Sequence, residues 1–376
     1  MIDLEAARQR FDASTDFTVG LEEEFALLDP HTLDLVPRFA ELRDAAAASD
    51  PRLLAAITGE LIASEIEIIS GRGADLRDAL ALQRDARRRL FALCAARGVA
   101  LGATGTHPWA DYREQPNIET EHYRRVVEGL GYVARRNNTF SLHVHVGVRG
   151  ADRAVRVCDR LRAVLPLLLA VSASSPFVDG HDAGLHSARS VTFTRTFPRC
   201  GVPDVYGSWA AYADYVDFLQ ATASIVEYTQ LWWSIRPHFS FGTVEVRICD
   251  AQPTATESEA LGALVVACVA QAAHDEDAGV PAVHHAGRMI EENLWRAIRH
   301  GLDGRMIDLA TRTEYPAAEI MERLATWTAP ARAALGIELV LEGPNPAQRQ
   351  RAQLAAGLGL RDVYAATVRE TAETYA

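Results

Sequence analysis

The chain has 376 residues, 48% of them hydrophobic and 23% charged, and its formal net charge is −12. This composition predicts a folded protein with a substantial core, and the acidic charge argues against a general affinity for nucleic acid, which needs a basic surface. All 38 basic residues are arginines, which excludes both a Schiff-base lysine and a P-loop.

Neither export nor membrane insertion is indicated. Residues 1–17 lack a basic segment followed by an apolar one, so they do not form a secretory signal. The longest apolar run, residues 163–171, is too short to cross a bilayer and contains Pro166. Five scattered cysteines without a CxxC pair favour neither disulfides nor a thiolate zinc site. We therefore expect a cytoplasmic protein without a membrane partner.

Helical periodicity is clearest at residues 74–98, where apolar residues recur every three or four positions and Gly98 offers a C-terminal stop. This helix should lie on a sheet. The other predicted helices cover residues 119–136, 151–173, 209–229, 256–275, 284–300 and 346–373. Five prolines are expected in connections: Pro176, Pro198, Pro203, Pro237 and Pro253. Because no repeat or linker marks a boundary, we expect one domain over residues 1–376.

Predicted strands cover residues 16–28, 61–69, 99–104, 139–148 and 238–249. They do not alternate with helices in the rhythm of a doubly wound fold, and polar and apolar residues alternate along them. This pattern favours an antiparallel sheet with helices packed on one face and the other face open. The expected fold class is α+β.

The first of these strands contains the stretch TVGLEEEFALLD, which holds three consecutive glutamates. Side chains alternate along a strand, so Glu22 and Glu24 share one face and Glu23 points to the other. Two carboxylates on one face repel each other unless they lie in open water or hold a cation between them. A solvated edge strand and a cation site are both compatible with this stretch alone.

The other strands also carry functional groups on one side only. These are Ser141, His143 and His145, then Thr243, Glu245 and Arg247, then Glu65 and Glu67, with Glu60 seven residues before Glu67. Taken singly, each is compatible with a satisfied strand pair or a solvated ion pair of little consequence. Together they form an oxygen-rich set with a few imidazoles and no sulfur, which selects Mg²⁺ or Mn²⁺ over zinc.

A nucleotide is the expected ligand of such ions. Magnesium that is held by carboxylates completes its shell with water and phosphate, which points to ATP. Arg247, on the face of Glu245, is placed to neutralise charge on a transferred phosphoryl group. Arg195 and Arg189 are further candidates for binding phosphate or a substrate carboxylate, with ordinary surface arginines as the alternative.

Four segments resemble the YbdK-type carboxylate-amine ligases, the second family of glutamate–cysteine ligases: TVGLEEEF, LHVHVGV, RTFPRCGVPDVYGSW and RPHFSFGTVEVRICD. The resemblance extends from about residue 16 to residue 373. It implies a fold like the catalytic domain of glutamine synthetase, with Mg²⁺ and ATP on a concave sheet face. It also implies ATP-dependent joining of a carboxylate to an amine, with glutamate and cysteine as the reference pair, and a homodimer.

The resemblance also assigns residues. The implied metal ligands are Glu22, Glu24, Glu60, Glu67, His143, His145 and Glu245, and Glu245 and Arg247 match a late Glu-x-Arg pair with a catalytic role. His143 is the better match to the metal-binding histidine of the superfamily. Glu23 and Glu65 depart from positions that are commonly apolar, and we expect both to be peripheral.

The implied mechanism begins with phosphorylation of the substrate carboxylate by ATP, after which the amine attacks the acyl phosphate and no protein nucleophile takes part. Catalysis would then depend on positioning and charge stabilisation. Two alternatives use the same face. One is a phosphotransferase that stops at the phosphorylated acceptor, and the other is a non-catalytic module that binds Mg-ATP.

Overall fold

The structure, a computed structural model, describes residues 2–341 and 343–376. The strands are β1 (Val19–Leu28), β2 (Ile57–Thr58), β3 (Glu65–Ile69), β4 (Ala100–Gly102), β5 (Ser141–Gly147), β6 (Phe177–Val178), β7 (His181–Asp182), β8 (Cys200–Gly201), β9 (Trp232–Trp233), β10 (Ile235–His238), β11 (Thr243–Asp250), β12 (Arg305–Asp308) and β13 (Thr313–Pro316). The α-helices are α1 (Leu4–Asp12), α2 (Phe39–Ser49), α3 (Pro51–Ala56), α4 (Leu76–Ala96), α5 (Glu121–Leu130), α6 (Tyr132–Arg135), α7 (Ala151–Leu161), α8 (Leu165–Ser172), α9 (Ala188–Thr192), α10 (Trp209–Ala221), α11 (Ala255–Asp277), α12 (Gly287–His300), α13 (Ala317–Trp327), α14 (Ala329–Leu335), α15 (Pro346–Ala355) and α16 (Leu360–Tyr375). Short 3₁₀ turns lie at Tyr112–Glu114, Tyr228–Gln230 and Gly301–Asp303.

A seven-stranded antiparallel sheet organises the fold. Its strand order is β10-β11-β5-β1-β3-β2, and β4 pairs with β1 on the same edge as β5, beyond the end of β5. The register of β5 and β11 shifts between Val246 and Cys249, where the ladder contains an irregularity. The predicted α+β class with an antiparallel sheet is confirmed.

One face of this sheet is the apolar core. Leu21, Val144, Val146 and Val244 point to this side and are almost completely buried. Helices α7, α8 and α11 cover β5, β10 and β11, while α4 covers β1 and β3. The prediction that the helix over residues 74–98 lies on the sheet is therefore confirmed by α4. The opposite face carries the polar residues.

The structure differs from the sequence prediction at β10, which was not predicted as a separate strand. Pro237 lies inside β10 and pairs with Val244, although it was expected in a connection. Because β10 is an edge strand, the missing N–H of a proline is tolerated there. The predicted helix over residues 151–173 is two helices, α7 and α8, with Pro166 in the first turn of α8.

The helices were also compared with the length and apolar character of a membrane span. Across residues 2–341 and 343–376, no helix combines the length and the apolar character that crossing a membrane requires.

Candidate functional site

Strand register brings the polar residues of four strands together on the outer face. Glu24 on β1 lies opposite Glu67 on β3, and Glu22 lies opposite His143 on β5. His145 lies opposite Glu245 on β11. Directly opposed residues have side chains on the same face, about 4.5–5.5 Å apart at Cβ. The sheet therefore collects residues that are up to 223 positions apart in the chain, from Glu22 to Glu245.

These residues form three groups whose ligand atoms lie within 4.8 Å of one another: Glu22, Glu67 and His143; Glu22, His145 and Glu245; and Glu24, Glu60 and Glu67. All seven predicted metal ligands belong to at least one group. The donors are carboxylate oxygens and imidazole nitrogens, a set that suits Mg²⁺ or Mn²⁺.

Glu24, Glu60, Glu65 and Glu67 form what we call the acidic end of the face. Burial, together with the charge of Glu24, raises the pKa of Glu60 to about 8. Burial and neighbouring carboxylates also raise the pKa values of Glu65 and Glu67 well above their usual range. The Oε2 atom of Glu65 is buried without a hydrogen-bond partner. In its ionised form the acidic end would hold more negative charge than the surrounding protein compensates, and a bound cation would stabilise that form.

The opposite end of the face is held by arginines. Arg236 Nε donates to Glu245 Oε2 at 2.6 Å, and Arg247 Nη1 donates to the other carboxylate oxygen. Although burial opposes ionisation, these two guanidinium groups hold the pKa of Glu245 well below its usual range. The Nε atom of Arg247 is buried and unpaired. This arginine end therefore retains a donor that is directed to no protein acceptor.

Two histidines connect the ends through Glu22. His143 Nδ1 and His145 Nε2 each lie 3.0 Å from a Glu22 oxygen. Ser141 Oγ lies 2.8 Å from His143 Nε2, and Thr243 Oγ1 lies 3.0 Å from His145 Nδ1, so both rings are fixed in orientation. Against the opposing effect of burial, the histidines hold the pKa of Glu22 well below its usual range.

Two cavities meet at this face. The larger, of about 520 Å³, covers both ends and is walled by α5 on one side and by residues 228–230 on the other. The smaller, of about 320 Å³, lies beside the start of β1 and contacts His145, Arg72 and Phe241. Glu22 lines both cavities. A ligand that reaches from one cavity into the other would pass this carboxylate.

The geometry does not bring Arg195 to either cavity. This residue is exposed and lies 3.5 Å from Glu291, because α9 ends at Thr192 and the chain then turns toward the surface. The other candidate, Arg189, is buried on α9, lines the larger cavity and has an unpaired Nε. We therefore replace Arg195 with Arg189 in the candidate site.

The two glutamates that were expected to be peripheral differ in position. Glu23 lies outside the site, as expected, and is buried on the core face, where it accepts from Arg87 Nε at 2.8 Å and from Gln83 Nε2 at 2.8 Å. Glu65, also expected to be peripheral, is 1% exposed and lines the larger cavity. Side-chain alternation was the available signal for both, since it places Glu65 with Glu67 and separates Glu23 from Glu22.

Sequence reasoning missed Arg236 and Tyr123. Arg236 lies on β10, inside the segment RPHFSFGTVEVRICD, but that strand was not predicted. The hydroxyl group of Tyr123 on α5 donates to Gly59 O at 2.5 Å, next to Glu60. No local pattern indicates that a helical tyrosine reaches this loop.

Comparisons with known proteins show the family of this chain. The family model for glutamate–cysteine ligase family 2 (GCS2) matches residues 18–352. A protein from Rubrobacter xylanophilus, provisionally named glutamate–cysteine ligase 2-2, is 40% identical over 89% of this chain and 86% of its own length. A relative from Solibacter usitatus, provisionally named glutamate–cysteine ligase 2, is 37% identical over 89% of this chain and 88% of its own length.

Solved structures agree in fold. The glutamate–cysteine ligase of Francisella tularensis, solved in complex with AMP, matches with a TM-score of 0.68 over 96% of this chain and 90% of that one, at 13% identity. A bifunctional glutathione synthetase from Pasteurella multocida matches with a TM-score of 0.69 over 99% of this chain and 54% of that one, at 11% identity. Because the family model matches most of the chain and the relatives are similar over most of its length, the chain belongs to glutamate–cysteine ligase family 2.

Proposed function

We propose that this member of the family is an ATP-dependent ligase that joins a carboxylate to an amine through an acyl phosphate. The observation that carries the proposal is the convergence of seven carboxylate and imidazole residues on one sheet face that also holds Arg247. The proposed substrates are glutamate and cysteine or a related amine. A homodimer, a cytoplasmic location and a single domain over residues 1–376 stay predictions of the sequence.

The residues present fit divalent cations. The raised pKa values of Glu60, Glu65 and Glu67 indicate a surplus of negative charge, and Glu65 Oε2 has no partner. The proposed ligands are the seven residues of the three groups. Bound Mg²⁺ or Mn²⁺ would neutralise both these carboxylates and the phosphate oxygens of ATP.

The linings of the two cavities suggest which part of each substrate binds in which cavity. The smaller cavity contains one arginine, Arg72, together with apolar residues and the exposed ring of Phe241, which suits a nucleotide base. The larger cavity contains the arginine end and the acidic end, which suits phosphate groups and the charged groups of amino acids. We propose that the phosphates lie between them, beside Glu22.

The chemical steps need positioning and charge stabilisation from the chain. The carboxylate oxygen of the substrate attacks the γ-phosphorus of ATP, and ADP leaves. The amine nitrogen then attacks the acyl carbon, and phosphate leaves as the C–O bond breaks. Arg247 and Arg189 line the larger cavity and each has a buried Nε atom without a partner, and we propose that their guanidinium groups stabilise charge on the transferred phosphoryl group. Tyr123 holds the loop that carries Glu60.

A substrate screen tests the proposal. Purified protein is incubated with Mg-ATP and pairs of carboxylates and amines, ADP release is measured, and the product is identified by mass. We expect ADP and an amide in equal amounts for at least one pair. ADP with a phosphorylated acceptor and no amide would instead support a phosphotransferase, and calorimetric Mg-ATP binding without ADP release from any pair would support a binding module.

Gly20 offers a separate test of the proposed base site. An added Cβ there would meet Gly71 O at 3.4 Å and His145 Cβ at 3.5 Å, both ordinary contacts, so Gly20→Ala places a methyl group beside the smaller cavity without a clash. We expect weaker Mg-ADP binding by calorimetry and unchanged binding of Mg-tripolyphosphate, which has no base. Equal weakening of both ligands would contradict this placement.

A further inference from the structure

A hydrogen-bonded pair, His122 and Glu227, connects α5 with the segment that continues into the opposite wall of the larger cavity. His122 Nδ1 on α5 lies 2.7 Å from Glu227 Oε1. His122 lines the cavity, and Glu227 directly precedes the lining residues 228–230 of the opposite wall. The two residues are 105 positions apart in the chain, so the pair is a tertiary contact.

The wall that carries Glu227 is anchored to the sheet. Tyr228 stacks on Phe239 with ring centroids 4.9 Å apart, and its hydroxyl group hydrogen-bonds Ser240. Arg236 Nη1 donates to Thr229 O at 3.1 Å, and Arg236 is itself held by Glu245. Residues 228–230 are therefore tied to β10 and β11, and Glu227 projects from a fixed support.

The α5 wall has fewer attachments. Tyr123 holds one side of the helix to Gly59, while five of the ten residues of α5 are exposed in addition to His122, and only Val126 is buried. The helix is followed by Gly131, whose φ of +58° lies in the left-handed region, before α6 begins. His122 is thus the cross-cavity contact that complements Tyr123.

We propose that the His122–Glu227 pair positions α5 as the outer wall of the reaction site and keeps water from the acyl phosphate. The inference rests on the proposed function, which creates an intermediate that water can hydrolyse. When water replaces the amine, it attacks the acyl phosphate, the carboxylate and inorganic phosphate are released, and ATP is consumed without amide formation. Excluding water from reactive intermediates is a general function of active-site closure. Both residues are positioning residues, since neither belongs to the metal or phosphate groups.

The decisive readout is the ratio of ADP released to amide formed, with Mg-ATP, L-glutamate and L-cysteine as the probe. We expect one ADP per amide in the wild type and a clear excess of ADP in His122→Ala and Glu227→Ala. The double variant should be no worse than either single variant, because one contact is lost in all three. His122→Gln, which retains a hydrogen-bond donor, should restore part of the coupling.

Arg125→Ala is the matched control. Arg125 lies on the same helix and pairs with Glu121, but both residues are exposed and neither lines the cavity. Its ADP-to-amide ratio should equal that of the wild type. A ratio that stays at one in His122→Ala, or that rises equally in Arg125→Ala, would overturn the proposal.

A second measurement does not depend on the substrate pair. Hydrogen–deuterium exchange of residues 121–130 should be faster in His122→Ala than in both the wild type and Arg125→Ala. If the wild type releases no ADP with glutamate and cysteine, that substrate assignment fails, and exchange still decides whether the pair holds α5. Equal exchange in all three proteins would contradict that role.

Discussion

Adjacent glutamates on β1 have opposite surroundings on the two faces of the sheet. On the core face, Glu23 accepts hydrogen bonds from Arg87, Gln83 and Ser258, so the buried carboxylate is compensated by permanent protein partners. On the outer face, Glu24 lies opposite Glu67, within a cluster of carboxylates. A buried charge with full compensation supports the fold, whereas a surplus of one sign is costly and indicates a ligand. The contrast separates structural acids from candidate functional acids.

We expect the largest effect, a loss of stability, when the ion-pair partner of Glu23 on the core face is removed. Arg87→Met leaves Glu23 buried without its guanidinium partner, and we expect a loss of about 3–5 kcal/mol in the free energy of unfolding. Denaturant unfolding measures this change. The double variant Glu23→Leu/Arg87→Leu removes both charges and should recover much of the stability, while an equally unstable double variant would contradict the ion-pair explanation.

The next effect belongs to the outer face. Glu22→Gln should reduce ADP release by about 10²–10³-fold, comparable with the loss of one group that stabilises a transition state. The thermal unfolding temperature should fall little, because Glu22 is not part of the apolar core. Glu23→Gln is the matched variant on the same strand, and it should show the reverse pattern, reduced stability with turnover per folded molecule retained. Undiminished turnover in Glu22→Gln would refute the metal assignment.

Cation binding sharpens the contrast further. Mg²⁺ at 100 times its dissociation constant should stabilise the protein by about 2.7 kcal/mol, since it binds the folded state. EDTA should remove this gain, and NaCl at matched ionic strength should not reproduce it. Glu67→Gln, which alters two of the three groups, should lose most of the gain, whereas the exposed Glu5→Gln should retain it. Equal stabilisation of both variants would place the binding elsewhere.

A further contrast is a pH dependence of stability in the metal-free protein. With a pKa of about 8 in the folded state and an ordinary value of 4.5, Glu60 is protonated when folded but ionised when unfolded between these values. The folded state then binds more protons, so this group's stabilising contribution falls as pH rises from about 4.5 to 8. Glu60→Gln removes this contribution. Its stability relative to the wild type should therefore increase over that interval, and denaturant unfolding at pH 5 and pH 8 measures the change.

The sequence predicted much of this face because a strand has a simple period. Alternation placed Glu22 with Glu24 and His143 with His145, and the structure brings all of them to one side. It could not rank Arg195 against Arg189, because the outcome depended on where α9 ends and how the chain turns. It also missed Arg236, because Pro237 argued against a strand that the sheet accommodates only at its edge.

By itself, the amino-acid sequence determined the α+β class, the family and the chemical character of the outer face. The class and the chemical character follow from local periodicity and residue type, and the family follows from the resemblance of four segments, all of which the chain carries without reference to its folded form. Only the tertiary structure decided which acids are compensated, where the cavities lie and that His122 meets Glu227 across the larger one. Strand register and contacts between distant segments set these features, because charge compensation depends on distances in space rather than on spacing along the chain.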